Sequence, residues 1–382
     1  MLKNLYEKTK YELCILLFLL VQFFAFRPTA DGMPLWQLLT YLGDYSHGFM
    51  PRAFLGEVIS WFSDTVSLGI IHTLSSVICI LLSIVAALLG GQVIRKAENK
   101  DAVTAFVTIM VTSPIFMPVF SAWLGIMDIY LILLTFVAFI FNENKVLRYL
   151  VPLIALLCVA IHHVYLFLYM VPLAIALLYD CFKNKKYVRD GILCAVTYSS
   201  LIAFAFIIIK TRLAKGFSSI GEMVGFMIEK ADFPLTEEWL YAVVPNEYMT
   251  SADYLAQAIT PTMSAKNLLG IIVILLPLFV LFAYGWIQAL RRSEDKGEKL
   301  IFFLCLIHPL STVPAYFFGL NWNRWTSAII TSQCILYLFM LYRKNKTLSE
   351  VTLQITEFFR KHFMFVSIYF IYYTSFAKLL GI

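Results

Sequence analysis

Acidic and basic side chains stand close together just after the first apolar stretch of this 382-residue chain. Asp44, His47 and Arg52 fall within the short run Gly-Asp-Tyr-Ser-His-Gly-Phe-Met-Pro-Arg. A carboxylate at a water boundary can act as a general base, and an arginine can hold a phosphate through a bidentate contact. We therefore predict Asp44 as a catalytic residue and His47 and Arg52 as substrate-binding residues. The alternative is a salt bridge that only fixes this loop.

Three further polar residues occur at the ends of later apolar stretches. Asp128 opens one such stretch, where it serves either as a second catalytic residue or as a helix cap. His162 and His163 stand at the tip of a tight hairpin and are predicted to bind substrate, the alternative being a polar loop tip. Since no third ligand lies at a suitable spacing, we assign no metal site, although a divalent cation stays open as a cofactor.

A fourth set of polar residues joins two apolar stretches near the C-terminus. Tryptophan rings beside a cation and amides suit a sugar or a prenyl phosphate, although tryptophan also forms the aromatic belt of membrane proteins. Arg324 is unusual in so short a loop, and we expect it to have an anionic partner. The predicted substrate-binding residues of this set are Asn321, Trp322, Asn323 and Arg324.

The composition indicates that lipid is the solvent for most of the chain, because 60% of the residues are hydrophobic and only 14% are charged. The apolar runs lack alternation, which favours helices over a barrel. We predict an all-α, polytopic integral membrane protein with a single transmembrane domain, residues 1–382, and about eleven crossings. The predicted segments are 11–26, 67–93, 102–120, 124–141, 146–161, 164–179, 191–209, 267–290, 300–318, 326–342 and 362–380.

The basic residues predict the orientation. Of 30 lysines and arginines, 21 fall in loops on one side of the predicted segments, and that side should be cytoplasmic. The N-terminus is then cytoplasmic, with a retained first helix, and the C-terminus is extracytoplasmic, in what we expect to be a bacterial plasma membrane. Because topology accounts for the net charge of +6, no nucleic-acid partner is predicted. The seven cysteines show no spacing typical of disulfides or zinc.

Two of the predicted outer loops are long, residues 27–66 and residues 210–266. In the first loop, the apolar residues after Leu35 and again after Phe54 recur with a helical period, which predicts two amphipathic helices lying on the membrane surface. A similar period from Ile220 predicts a surface helix in the second loop. The polar residues described above would then gather on the outer side.

This arrangement resembles the GT-C superfamily of membrane glycosyltransferases, which take a sugar from a polyprenyl-phosphate carrier. The resemblance lies in the inward N-terminus, the outer loop with surface helices and Asp44, the second acidic residue Asp128, and the long outer loop between the seventh and eighth helices. It implies a GT-C-like bundle and a polyprenyl-phosphate-linked sugar donor. It also implies a glycan or lipid-glycan acceptor, with Asp44 activating that acceptor and Arg52 and Arg324 holding the donor phosphate.

Two alternatives remain at this point. A polysaccharide polymerase or ligase also acts on lipid-linked sugars and differs mainly in donor size. A transporter or flippase for a lipid-linked saccharide belongs to another class and should place ionisable residues near the membrane midplane. In this sequence they are expected mostly at the outer ends of the helices, which favours an enzyme.

Overall fold

A computed structural model of the protein describes residues 2–49, 52–113, 115–210, 217–241, 265–318 and 322–375. The described chain is helical, and its only β interaction is an isolated parallel bridge between Val66 and Ala231. Short 3-10 helices cover Ala30–Gly32, Leu147–Leu150 and His308–Thr312. The α-helices, in chain order, are α1 (Leu2–Phe26), α2 (Leu35–Leu42), α3 (Phe54–Ser60), α4 (Leu68–Lys96), α5 (Lys100–Thr112), α6 (Met117–Ala122), α7 (Asp128–Glu143), α8 (Val151–Ile161), α9 (Tyr165–Leu168), α10 (Met170–Asn184), α11 (Tyr187–Lys210), α12 (Ile220–Lys230), α13 (Ala265–Arg292), α14 (Lys296–Ile307), α15 (Val313–Phe318), α16 (Trp322–Tyr342), α17 (Lys346–Lys361) and α18 (Phe363–Ser375).

Six stretches of the described chain are long and apolar enough to cross a bilayer. A helical membrane protein is therefore confirmed, while the number of about eleven crossings and the orientation of the termini stay predictions. The six stretches are Thr9–Phe26, Leu68–Lys96, Lys100–Ala122, Tyr187–Ile207, Lys296–Tyr316 and Arg324–Tyr342.

Several predicted segments are not single helices. Segment 102–120 is divided between α5 and α6, and segment 164–179 is divided between α9 and α10. Segment 300–318 passes from α14 through a 3-10 helix into α15. Segment 362–380 corresponds to α18, and its last residues lie outside the described part of the chain.

The break between α9 and α10 has a local cause. Pro172 has no amide hydrogen, so it cannot donate to the carbonyl of Leu168, four residues earlier. The hydroxyl of Ser332 donates to that carbonyl instead, at 2.9 Å, and the hydroxyl of Ser311 donates to the carbonyl of Phe167 at 3.0 Å. Backbone groups freed in an apolar interior are thus satisfied by neighbouring helices, and Tyr169 is held at the break.

Ion pairs divide the helix ends into two groups. Arg343, just after α16, pairs with Glu143 at the end of α7 at 3.0 Å and with Asp180 near the end of α10. At the other end of α7 and α16, Asp128 pairs with Arg324. We call these two sides of the molecule the Arg343 end and the Asp128 end.

The helices predicted in the two long loops are present, but their packing differs from the prediction. α2 and α3 lie within residues 27–66, and α12 lies within residues 210–266. The apolar stripe of α2 was expected to face lipid, yet Leu38, Leu39 and Leu42 are buried inside the protein. α2 is therefore a packed element of the bundle and can position residues at the Asp128 end.

One described helix was not predicted. α17 follows α16 at the Arg343 end and buries Leu348, Val351 and Ile355 on one face. Asn345 caps it, because its side chain accepts a hydrogen bond from the amide of Leu348 at 2.8 Å. From the sequence, this region was predicted only as a loop rich in basic residues.

Candidate functional site

Helix α2 braces the hairpin that leads into Asp128. The hydroxyl of Tyr41 donates to the carbonyl of Gly125 at 2.9 Å. The amide of Gln37, oriented as a donor, binds the carbonyl of Leu124 at 2.8 Å. Gly125 has φ +100°, a conformation that residues with a Cβ rarely adopt. The hairpin is therefore fixed to α2, and Asp128 is fixed with it.

Asp128 and Arg324 form a buried ion pair at this end of the bundle. Asp128 is the first residue of α7, Arg324 lies in the first turn of α16, and the two side chains are 1% and 7% exposed. A carboxylate is stabilised at a helix N-terminus, whereas a cation is disfavoured there. Arg324 therefore needs an anionic partner, as the sequence predicted, and the structure shows that Asp128 is this partner.

His162 lies at the end of α8 and is 5% exposed. The amide of Val164 donates to its Nδ1 at 3.1 Å, so the neutral ring carries its proton on Nε2. Burial, together with the positive charges of Arg52 and Arg324 and the neighbouring His163, holds the pKa of His162 well below its ordinary value. At neutral pH this imidazole is uncharged and can donate a hydrogen bond.

Arg52 joins the same group of side chains. Its Nη2 lies 3.5 Å from Nε2 of His163, and its charge acts on His162. The φ of Arg52 is +65°, which is uncommon for a residue with a side chain and is typical of functional or otherwise constrained positions. Residues far apart in the sequence thus meet in one place, which we call the Asp128 cluster: Arg52, Asp128, His162, His163, Tyr169 and Arg324.

Tyr169 belongs to this cluster because of its electrostatic interactions with both Asp128 and Arg324. It is fully buried at the break between α9 and α10. Tyr169 was not among the site residues predicted from the sequence. Pro172 was the available signal, since a proline early in an apolar segment marks a break where a polar side chain can be placed.

Asp44 is held in a separate set of contacts. Lys230 at the end of α12 forms an ion pair with one carboxylate oxygen at 2.8 Å, and the amide of Ser46 donates to the other at 2.9 Å. Burial raises the pKa of Asp44, but the hydrogen bonds from Lys230 and Ser46 outweigh burial and leave the pKa below its usual value. Asp44 is therefore ionised at neutral pH. Lys230 was not among the site residues predicted from the sequence. It is the last residue of α12, the helix predicted from the period that starts at Ile220.

His47 extends this second group. Its ring stacks on Phe217 at 4.4 Å and meets Phe226 edge-on at 4.9 Å, and its Nδ1 lies 3.0 Å from the hydroxyl of Ser46. Phe226 belongs to α12, so this helix covers the loop that carries Asp44. We call the group the first-loop cluster: Asp44, Ser46, His47, Phe217, Phe226 and Lys230.

The structure thus sorts the predicted site residues into two clusters at one end of the bundle. The two carboxylates are held separately, Asp44 by Lys230 and Asp128 by Arg324. Asn321 lies outside the described residues, and Trp322 and Asn323 begin α16 but their side chains are not described. Within the described ranges, no group of three or more His, Cys, Asp or Glu side chains is placed to hold a metal ion.

Buried charges are not confined to the Asp128 end. At the Arg343 end, Arg148 pairs with Asp190 at 3.1 Å, and both side chains are nearly inaccessible to solvent. His308 is also buried, and its Nδ1 lies 3.0 Å from the amide nitrogen of Gln333, nine residues into α16 after Arg324. Buried ionisable residues thus also occur at the Arg343 end and inside the bundle. The expectation that they lie mostly at the outer ends of the helices stays a prediction.

No protein-family model, curated protein or solved structure matches this chain. The GT-C resemblance therefore stays a prediction from the sequence.

Proposed function

We propose that the protein is a membrane glycosyltransferase that moves a sugar from a polyprenyl-phosphate carrier to an acceptor at its Asp128 end, on the extracytoplasmic face. The observation that carries this proposal is the meeting of Arg52, His162 and His163 with the Asp128–Arg324 pair. Cations, neutral donors and carboxylates are what a reaction with a phosphate leaving group and a hydroxyl nucleophile requires.

Arg52 is proposed to hold the donor phosphate, with His163 beside it. Negative charge develops on the phosphate as the sugar leaves, so a fixed cation there stabilises the transition state more than the ground state. The resemblance assigns this role to Arg324 as well. Arg324 is less suited to it, because Asp128 already compensates its charge.

Asp44 is proposed to accept the proton. The acceptor oxygen forms a bond to the anomeric carbon while the bond from that carbon to the phosphate oxygen breaks. The bonding electrons leave with the phosphate, and the acceptor proton passes to Asp44. The lowered pKa of Asp44 keeps it in the ionised form that this step needs, and Lys230 orients it.

A lipid-linked saccharide transporter is the second candidate, and the buried His308 is the observation that favours it. The surrounding contacts reduce its weight: the amide of Gln333 donates to the carbonyl of Cys305 at 2.9 Å, and its oxygen accepts from Trp286 at 2.5 Å. These bonds join α13, α14 and α16 into packed structure rather than opening a path between them.

The test is transfer by membranes supplied with a panel of polyprenyl-phosphate sugars and outer-surface glycan acceptors. Asp44→Asn should insert normally and lose at least about a hundredfold in turnover, the lower range for removal of a general base. Asp64→Asn is the matched control, since Asp64 is exposed in the same loop, and it should retain activity. Wild-type turnover by Asp44→Asn would mean that this assignment is wrong and that the bundle is a transporter or a different enzyme.

A further inference from the structure

Three buried polar atoms around the Asp128–Arg324 pair have no hydrogen-bond partner among the described residues. They are Oδ1 of Asp128, Nη2 of Arg324 and the hydroxyl of Tyr169. Their side chains are at least nine-tenths buried. Buried polar groups in proteins are nearly always hydrogen-bonded, and an apolar bilayer offers them no bulk water. Such a group of open atoms therefore indicates a bound polar partner.

Two of these open atoms belong to the groups that form the ion pair itself. An arginine and a carboxylate often form two parallel hydrogen bonds. Here the contact runs from Nε of Arg324 to Oδ2 of Asp128. Nη2 and Oδ1 belong to the same guanidinium and carboxylate groups but form no second, parallel bond, so both remain available to a partner.

The chemistry of the three atoms selects the partner. Oδ1 of Asp128 can only accept, Nη2 of Arg324 can only donate, and the hydroxyl of Tyr169 can donate. A hydroxyl group has one donor and two acceptor lone pairs, which matches this set. A phosphate diester has no proton to give to Asp128 and would meet a like charge there.

We propose that Asp128, Arg324 and Tyr169 form a subsite for one hydroxyl group of a saccharide, distinct from the place where Arg52 holds phosphate. This inference rests on the proposed function, in that the saccharide is taken as the hydroxyl-bearing molecule. Asp128 and Arg324 then orient the sugar, and Tyr169 helps the subsite to select saccharides that carry this hydroxyl group. The subsite also gives Asp128 a supporting role beside the proton transfer at Asp44.

The experiment measures binding by thermal unfolding of the full-length protein in lipid nanodiscs, since a ligand that binds only the folded state stabilises it. The probes are the methyl glycosides of glucose, galactose, mannose and N-acetylglucosamine, the monodeoxy analogues of each, and undecaprenyl phosphate. The test variant is Tyr169→Phe. Its matched control is Tyr165→Phe, because Tyr165 is equally buried but interacts with Cys158 rather than with Asp128.

We expect at least one glycoside to stabilise the wild type and Tyr165→Phe, and to bind Tyr169→Phe about fivefold more weakly, the value of one lost neutral hydrogen bond. One monodeoxy analogue of that glycoside should also bind the wild type about fivefold more weakly than the glycoside itself does. In Tyr169→Phe the loss from that same deoxygenation should be smaller, which shows that the ligand hydroxyl and the tyrosine hydroxyl interact. Binding of undecaprenyl phosphate should not change in Tyr169→Phe.

Two results would overturn the subsite. Weaker binding of undecaprenyl phosphate in Tyr169→Phe would mean that the open atoms hold phosphate. Absence of glycoside binding, or binding that does not depend on Tyr169, would mean that they hold water only. If glycosides bind as expected but the wild type transfers no sugar, the proposed function fails and the subsite stands. If the wild type transfers sugar but glycoside binding does not depend on Tyr169, the proposed function stands and the subsite fails.

Discussion

Asp128 and Arg324 are 196 residues apart in the sequence and form a buried ion pair between the first turns of α7 and α16. The pair connects the hairpin braced by α2 to the helix that traverses the bundle to Arg343. Because both side chains are buried, each charge is compensated by the other rather than by water. The consequences of this pairing can be measured.

Arg324→Ala should lower the free energy of unfolding by about 3–5 kcal/mol, because it leaves the buried carboxylate of Asp128 uncompensated. A loop arginine considered from sequence alone would contribute little. The double variant Asp128→Asn/Arg324→Gln removes both charges and should recover most of the loss. Thermal unfolding in nanodiscs measures both variants, and equal stability of Arg324→Ala and the wild type would contradict the pairing.

Gly56→Ala should destabilise the contact between α2 and α3. A Cβ at position 56 would lie 1.9 Å from the carbonyl oxygen of Gly43 and 2.6 Å from that of Tyr41, so the helices must move apart. We expect a loss of about 1–3 kcal/mol, the usual cost of overpacking. Displacement of Gly43 should also shift Asp44 and reduce turnover.

Gly191→Ala is the matched control for that change. Gly191 lies in α11, and a Cβ there has no neighbouring atom within 4 Å. Alanine is the better helix former by about 1 kcal/mol, so this variant should be equal to or more stable than the wild type. Equal effects at positions 56 and 191 would show that α2 and α3 are not closely packed in the membrane.

The pKa of His162 predicts a pH dependence of stability. In the unfolded chain the imidazole has a pKa of about 6.5, whereas in the folded protein the pKa is lowered. As the pH falls below about 6.5, the unfolded state takes up the proton first, so stability decreases. It should be constant, as far as this group is concerned, at higher pH.

His162→Asn removes the titrating group and keeps an acceptor for the amide of Val164. Its unfolding midpoint should fall less steeply than that of the wild type between pH 7.5 and 5.5, a range that spans the ordinary histidine pKa of about 6.5. The difference between the two proteins at pH 8 measures the packing effect separately, since histidine is mostly neutral there at an ordinary pKa of about 6.5. Identical slopes would place a neutral His162 in doubt.

The orientation prediction is tested with single cysteines in a variant whose seven native cysteines are replaced. Thr250→Cys and Asn323→Cys should react in intact cells with a thiol reagent that cannot cross the membrane. Lys185→Cys and Lys296→Cys should react only after the cells are opened. The division of the basic residues between the two sets of loops is the basis for this expectation, and labelling at position 185 in intact cells would reverse the topology.

The sequence by itself determined that this protein is helical and that lipid surrounds most of it. Long apolar runs without alternation require helices in lipid, because only internal hydrogen bonds can satisfy the backbone there. Local periodicity also predicted α2, α3 and α12, since it depends on residues three and four apart. It could equally have predicted α17, whose buried residues Leu348, Val351 and Ile355 follow that spacing behind the cap residue Asn345.

Tertiary structure decided which polar residues meet. Proximity along the chain suggested that Asp44 and Arg52 act together, yet Asp44 pairs with Lys230 of α12, and Arg52 lies beside His163. The partner of Asp128 is set by how α7 and α16 pack, and the position of Tyr169 depends on a carbonyl that Ser332 satisfies from another helix. These contacts join residues more than a hundred positions apart, and such pairing follows from side-chain packing between helices, which local sequence patterns do not encode.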